Sequence, residues 1–302
     1  MIDGIINIYK ESGYTSHDVV AKLRGILKQK KIGHTGTLDP EAQGVLPVCL
    51  GTATKVCDML TDHSKTYRAV MLLGIVTDTQ DATGTVLSEH EVSCTEAEVE
   101  ACVHSFVGKQ QQIPPMYSAL KVGGKKLCDL ARQGIEVERK PREIEISEIS
   151  IEKIKFPRIT MTVSCSKGTY IRTLCHDLGA ALGCGACMES LVRTRVGTFT
   201  LENSVPLSRI EELRDQDRLN EILIPVDAVF SDCPALHLND YGHHLVCNGN
   251  PFPWKACAAT VDRGTAEFFR VYGSDGEFMA VYRWDTARSR FFPVKMFYTK
   301  QS

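Results

Sequence analysis

Residues 158–182 change periodicity abruptly. Ile159, Met161, Val163 and Cys165 alternate with Thr160, Thr162 and Ser164, the period-two pattern of a half-buried strand. Ile171, Leu174, Cys175, Leu178 and Leu182 then recur at helical spacing until Gly183 stops the run. A doubly wound sheet would repeat that strand-to-helix pairing along the chain, and this sequence does not. Strands read clearly at 67–73 and 143–154, without a helix paired to each. Helices read from Ser16, as N-cap to a stripe of Val19, Val20, Leu23 and Leu27, and from the capping box Thr95-Glu96-Ala97-Glu98. In the second, Val99, Cys102, Val103 and Phe106 share one face, and a third helical stretch with an acidic outer face is expected over 208–223. Strands and helices mixed without a regular repeat favour an α+β fold. After about Asp232 the texture becomes short strands (268–272, 278–284, 291–297) between Gly, Pro and Asp turns, which predicts a small β-rich module with its own core.

Composition narrows the function classes. With 302 residues, 43% hydrophobic and 24% charged, the chain is neither disordered nor fibrous. A net charge of −2 excludes coating of nucleic acid through bulk charge. The charge is segregated, however. Residues 19–31 hold five bases and no acid, residues 109–142 hold eight bases against three acids, and residues 78–108 hold seven acids and no Lys or Arg. A basic face suited to a phosphate backbone and an ordinary solvated surface both fit that pattern, and charge alone favours neither. No apolar run approaches the roughly 20 residues of a membrane helix. The first ten residues lack the basic region and cleavage site of a secretory signal, so a cytoplasmic location is expected. Twelve scattered cysteines, several in apolar settings (Cys49, Cys102, Cys165, Cys175), then read as buried reduced thiols. Cys184-Gly185-Ala186-Cys187 has no second pair at zinc spacing, and no metal site is expected.

The densest unusual stretch is Gly33-His34-Thr35-Gly36-Thr37-Leu38-Asp39-Pro40, followed by Gly44-Val45-Leu46. Its glycines and proline imply an ordered loop. Pro40 biases Asp39 into an extended backbone, from which its carboxylate can project toward a ligand that the glycines let approach closely. An Asp-Pro turn joining helix to strand is the plainer reading of the same residues. The phosphate-cradling pattern G-x-x-x-x-G-K-[ST], the G-x-S-x-G elbow and H-E-x-x-H are all absent, so nucleotide-fuelled and zinc-hydrolase classes lose weight.

That loop closely resembles the catalytic motif of the TruB family of tRNA pseudouridine synthases, and further segments match in order. They are Lys10-Glu11-Ser12-Gly13-Tyr14-Thr15-Ser16, Lys65-Thr66-Tyr67, Gln112-Ile113-Pro114-Pro115-Met116-Tyr117-Ser118, Gly168-Thr169-Tyr170-Ile171-Arg172-Thr173-Leu174 and Leu191-Val192-Arg193-Thr194-Arg195-Val196-Gly197. The resemblance extends from residue 5 to about residue 230. The resemblance implies a pseudouridine-synthase fold with a mixed or antiparallel central sheet over 1–232. It also implies a basic RNA-gripping insertion at about 109–142 and a PUA-like RNA-binding domain over 233–302.

By the same resemblance the protein detaches, rotates and rejoins the base of uridine 55 in the T-arm of tRNA, without a cofactor. Asp39 is the implied catalytic carboxylate, Arg172 the cation that keeps it charged, and Tyr67 the ring against the flipped base. Tyr170 is implied as a second substrate-contacting tyrosine, Leu191 as a pocket wall, and His34 as the filler of the gap left by the flipped nucleotide. Lys10 either supports the pocket or touches phosphate. Read without the family, Arg172 is a surface helix residue, His34 a loop cap and Tyr67 a core strand residue. Extruding a stacked uridine costs about a few kcal/mol, part of which an aromatic face recovers. Two residues depart from the family pattern: Cys128, where an aromatic is usual, and Gln43, where threonine is common. The expected partner is tRNA through its T-arm and, by the terminal module, its acceptor end. A monomer without an obligatory protein partner or membrane is expected. A guide-RNA-dependent synthase and a tRNA-folding factor are the alternatives.

Overall fold

The computed structural model describes residues 1–259 and 265–298. The expected module over 233–302 therefore includes residues 260–264 and 299–302, which lie outside the described residues. In chain order the first half contains β1 (Gly4–Lys10), α1 (Ser16–Leu27), β2 (Ile32–His34), β3 (Gln43–Leu50), α2 (Cys57–Thr61), β4 (Lys65–Leu73), a hairpin of β5 (Ile75–Thr77) and β6 (Val86–Glu89), α3 (Glu96–Ser105) and β7 (Gly108–Gln112). The insertion follows as a two-residue-per-strand hairpin, β8 (Lys121–Val122) and β9 (Lys125–Lys126), and the short helix α4 (Leu127–Ala131). Then come β10 (Arg142–Lys155), β11 (Arg158–Cys165), α5 (Ile171–Ala181), β12 (Ala186–Val196), β13 (Phe199–Thr200) and α6 (Leu207–Asp215). The last unit holds β14 (Ala235–His237), α7 (Asp240–Cys247), β15 (Phe268–Tyr272), β16 (Phe278–Asp285) and β17 (Arg290–Met296).

The large sheet runs β1-β3-β12-β4-β11-β10-β7, with β2 on β3 and β13 on β12. Every pairing in it is antiparallel except β3 with β12, where Gly44 faces Arg193. The α+β reading with a mixed sheet thus holds. The 158–165 alternation buries Ile159, Met161, Val163 and Cys165 against the apolar stripe of α5, including Ile171, Leu174 and Cys175. Gly183 adopts φ +77°, as a residue ending that helix must. On the other half of the sheet, β1 and β3 pack Ile6, Ile8 and Leu46 against Val19, Val20, Leu23 and Leu27 of α1. A third cluster joins Ile5, Val45 and Cys49 to Val281 and Phe297 of the last unit, so the four-stranded sheet β14-β15-β16-β17 is docked through shared core. That sheet also encloses a core of its own around Phe252, Phe269, Tyr282 and Phe291.

Several local expectations change. Thr15, not Ser16, caps α1: its hydroxyl accepts from the Asp18 N–H, and the Asp18 carboxylate accepts from the Thr15 N–H. Ser16 is buried within the first turn and serves elsewhere. The third helical stretch is shorter than read, because α6 ends at Asp215 and Asp217 takes φ +56°. The last unit also includes α7, capped by Asn239, which its turn-rich sequence obscured. All twelve cysteines are free, and Cys184 and Cys187 are both buried. Among the described residues no helix is long and apolar enough to cross a membrane.

Candidate active site

The loop 35–42 spans the gap between the antiparallel pair β2 and β3 and crosses the edge of the β3–β12 contact. Its backbone is pinned nearly residue by residue. The Leu38 N–H donates to Ser16 Oγ at 2.9 Å, and the Thr35 N–H to the Pro47 carbonyl at 3.1 Å. Lys10 Nζ donates to the carbonyls of Pro40 (2.8 Å), Ala42 (2.6 Å) and Glu11 (3.0 Å). Leu38 and Ala42 sink into the core below. Gly44 takes φ +105°, and a Cβ there would lie 2.2 Å from the Arg193 carbonyl oxygen. Only glycine allows that approach.

With its neighbours anchored, Asp39 projects its carboxylate toward Arg172. Its carboxylate is held in a two-point fork by Arg172: Nε to Oδ2 at 2.9 Å and Nη2 to Oδ1 at 3.0 Å. The Arg172 side chain is 6% exposed while that of Asp39 keeps 36% of its surface open, so the cation is buried behind and the anion faces outward. Planar bidentate pairing of this kind is what a guanidinium provides and an ammonium does not. Arg172 also donates to the carbonyls of Thr79 (3.2 Å) and Tyr117 (2.8 Å), and its Nη1 lies 3.6 Å from the Asp81 carboxylate. Loss of water pushes the Asp39 carboxyl above its usual range; Arg172 opposes this, Asp81 adds to it, and Lys10 opposes it.

The remaining candidates surround this pair. Tyr67 stands on β4 opposite Arg193, and Leu191 beside Ala69. Tyr67, Leu191, Leu38 and Ala42 belong to one buried cluster. Burial pushes the Tyr67 phenol up, opposed by the Arg193 guanidinium, which also hydrogen-bonds it. Tyr170 is half-buried at the start of α5, two residues before Arg172, and burial raises its phenol too. His34 is half-buried with its Nδ1 accepting the Gly36 N–H at 3.3 Å and its ring edge-on to His17 at 5.3 Å. Burial lowers its pKa, favouring the neutral imidazole. Asp39, Arg172, Tyr67, Leu191, Tyr170 and His34 therefore line or flank one region. Lys10 does not join them: it has no exposed surface, burial lowers its pKa to about 8, and its ammonium is used on loop carbonyls. A phosphate contact by Lys10 is inconsistent with that placement.

Two site residues were not singled out from sequence. Arg193 is 1% exposed and donates to the carbonyls of Val45 (2.7 Å) and Gly36 (3.4 Å), tying β12 to the loop. Its signal was available: an arginine two residues after Leu191, at the buried parity of a strand. Asp81 gave no signal, because it reaches Arg172 through a turn stapled by Thr79 and Thr83 to its own Oδ1. In the insertion, Cys128 is half-buried, its N–H bonded to the Ser118 carbonyl. Gln43 accepts from the Tyr9 hydroxyl at 2.8 Å.

Comparison with known proteins gives the same family along the chain. Residues 24–171 match the family described as TruB family pseudouridylate synthase (N terminal domain), and residues 172–231 match the tRNA pseudouridylate synthase B C-terminal domain. The seam between the two matches falls inside α5, so it is not a boundary of the fold. A protein of Lachnoclostridium phytofermentans named tRNA pseudouridine synthase B is 50% identical over 309 residues, covering 98% of this chain and 100% of that one. One of the same name from Clostridium tetani is 47% identical over 249 residues, covering 82% and 85%. Among solved structures, an H/ACA RNP bound to a substrate RNA containing 2'-deoxyuridine superposes with a TM-score of 0.72 at 25% identity, over 99% of this chain and 86% of that one. With the relatives matching nearly end to end and the loop, fork and sheet arranged around Asp39, this chain belongs to the TruB family of pseudouridine synthases.

Proposed function

We propose that this protein isomerises uridine 55 in the T-arm of tRNA to pseudouridine. The observation that carries the reading is the Asp39–Arg172 fork: an outward-facing carboxylate fixed in position against a buried cation that opposes its protonation. In the reaction the N1–C1′ bond of the uridine breaks, the base rotates, and a C5–C1′ bond forms. The C5 hydrogen leaves as a proton and N1 gains one, so no electrons are exchanged. Attack on the sugar, attack on the base and proton abstraction all use one ionised carboxylate. Preorganising it beside a fixed guanidinium means little rearrangement is needed as charge moves. Tyr67 would stack on the extruded base, with Leu191 beside it, Tyr170 contacting the nucleotide and His34 occupying the vacated stack. Lys10 acts behind the loop as a positioning residue. The unit from about residue 233 onward serves as a PUA-like RNA-binding domain and the 109–142 insertion as the stem grip. The enzyme works as a cytoplasmic monomer with tRNA as its partner.

Tritium release from unmodified tRNA labelled as [5-³H]uridine reports C5 substitution directly. Release by the wild-type protein and none by Asp39→Asn is the expected result. No release by wild-type protein that binds tRNA tightly would instead indicate a guide-RNA-dependent enzyme or a tRNA-folding factor.

A further inference from the structure

Gln112 is the last residue of β7, paired with Arg142 where the chain returns from the insertion. It stands at the neck of that element, and it is only 4% exposed. Its carboxamide reaches 58 residues along the chain to Tyr170. There Nε2 donates to the Tyr170 carbonyl at 3.1 Å, and Oε1 accepts the Tyr170 N–H at 2.8 Å. Tyr170 is the N-cap position of α5 and has no side-chain cap of its own. Its carbonyl also accepts the Leu174 N–H at 3.0 Å, the first bond of that helix. Gln112 thus treats Tyr170 as a neighbouring strand would, satisfying both backbone groups of the residue that opens the helix. Two positions later, Arg172 grips the insertion a second time through the Tyr117 carbonyl at 2.8 Å while forking Asp39.

We infer that Gln112 is a positioning residue that locks the neck of the insertion to the start of α5, setting where Tyr170 and Arg172 stand relative to Asp39. A carboxamide of this length is suited to the task because it carries one donor and one acceptor in a single plane. Glutamate keeps the acceptor but turns lone pairs toward the Tyr170 carbonyl. Methionine keeps the shape and neither bond. Asparagine falls one methylene short. The inference rests on the proposed reaction, whose carboxylate Gln112 does not touch.

The test uses full-length protein with 5-tritiated tRNA under single-turnover conditions across pH, together with tRNA retention on filters. In Gln112→Met, the loss of two buried hydrogen bonds should slow the single-turnover step by about tenfold to a hundredfold, with tRNA affinity changed by less than the rate. The acid limb of the pH–rate profile should also move upward, because an Arg172 that drifts holds the Asp39 charge less firmly. The titratable and charged groups facing Asp39 are Arg172, Asp81, Lys10, Tyr67 and Tyr170, and the substitution replaces none of them. Gln112→Glu, which keeps one bond, provides the second variant if Gln112→Met does not fold. A loss confined to tRNA binding, a slower step with the acid limb unmoved, an unchanged rate, or failure of both variants to fold would each overturn the inference. Absence of tritium release by the wild-type protein would instead refute the proposed reaction.

Discussion

Asp39 illustrates how a reactive group is held at some cost to the fold. Desolvation raises its carboxyl above the usual 3.8 even with Arg172 beside it. A carboxyl whose pKa is raised by folding stabilises the folded state below its unfolded pKa, and that contribution is lost as pH rises through the folded value. With 36% of its side-chain surface open, solvent screens much of that effect near neutral pH. Asp39→Asn is expected to abolish turnover and, because it leaves the buried Arg172 guanidinium without its carboxylate partner, to lower the thermal midpoint, as calorimetry at pH 7 would show. The acid limb of the wild-type pH–rate profile should lie above the ordinary aspartate value. Arg172→Met, which removes the largest influence opposing desolvation, should move it higher still. A limb at or below 3.8 in the wild-type protein would contradict the burial of this carboxyl. At this scale Asp39 and Arg172 were reached through the motifs that resemble the family; read alone, Asp39-Pro40 was a turn and Arg172 a surface helix residue, because their pairing spans 133 residues. Asp81 gave no signal, because its partnership exists only after the β5–β6 hairpin folds back over α5.

The catalytic loop and α1 meet through two adjacent hydroxyls that do separate work. Thr15 caps the helix in a reciprocal box with Asp18. Ser16, one residue later, points the other way, accepting the Leu38 N–H at 2.9 Å in a buried setting. Removing the cap with Thr15→Ala should cost about 1 kcal/mol of stability and leave turnover nearly intact. Ser16→Ala leaves a buried N–H without its acceptor, a penalty of about 1–3 kcal/mol that falls on the loop bearing Asp39. Turnover should therefore drop more than the urea midpoint suggests, and the two variants measured side by side separate capping from loop support. Sequence placed the helix start correctly to within one residue, since Thr-Ser is ambiguous between two good caps. What decides between them is the position of Leu38, a contact 22 residues away in sequence. Periodicity fared better. The alternation of 158–165 and the stripe of α5 reported their own burial, because both faces of those elements are fixed by a single neighbouring layer.

For the whole molecule, charge distribution matters more than net charge. A protein at −2 must engage a polyanion through a local surface. On the proposed function the insertion supplies one: Lys121, Lys125 and Lys126 sit exposed on the β8–β9 hairpin, turned by Gly123 and Gly124 in left-handed conformations. Replacing all three lysines by alanine should weaken tRNA binding at low salt. It should also make the dependence of log Kd on log salt shallower by about two to three units, given roughly 0.7–0.9 for each phosphate no longer neutralised. An unchanged slope would place the RNA elsewhere. The terminal unit was legible as a β-rich module, but its attachment was not, because the residues that dock it come from opposite ends of the chain. Ile5 of β1, Val45 and Cys49 of β3, and Val281 and Phe297 of the four-stranded sheet share one core cluster. That arrangement bears on how the protein is made. The inner face of the first strand meets its last partner only when Phe297 has been translated, about 15–60 s after Ile5 at roughly 5–20 residues per second. Residues 45–230 close most of that cluster earlier, so what stays open on the nascent chain until the end is the patch that Val281 and Phe297 cover.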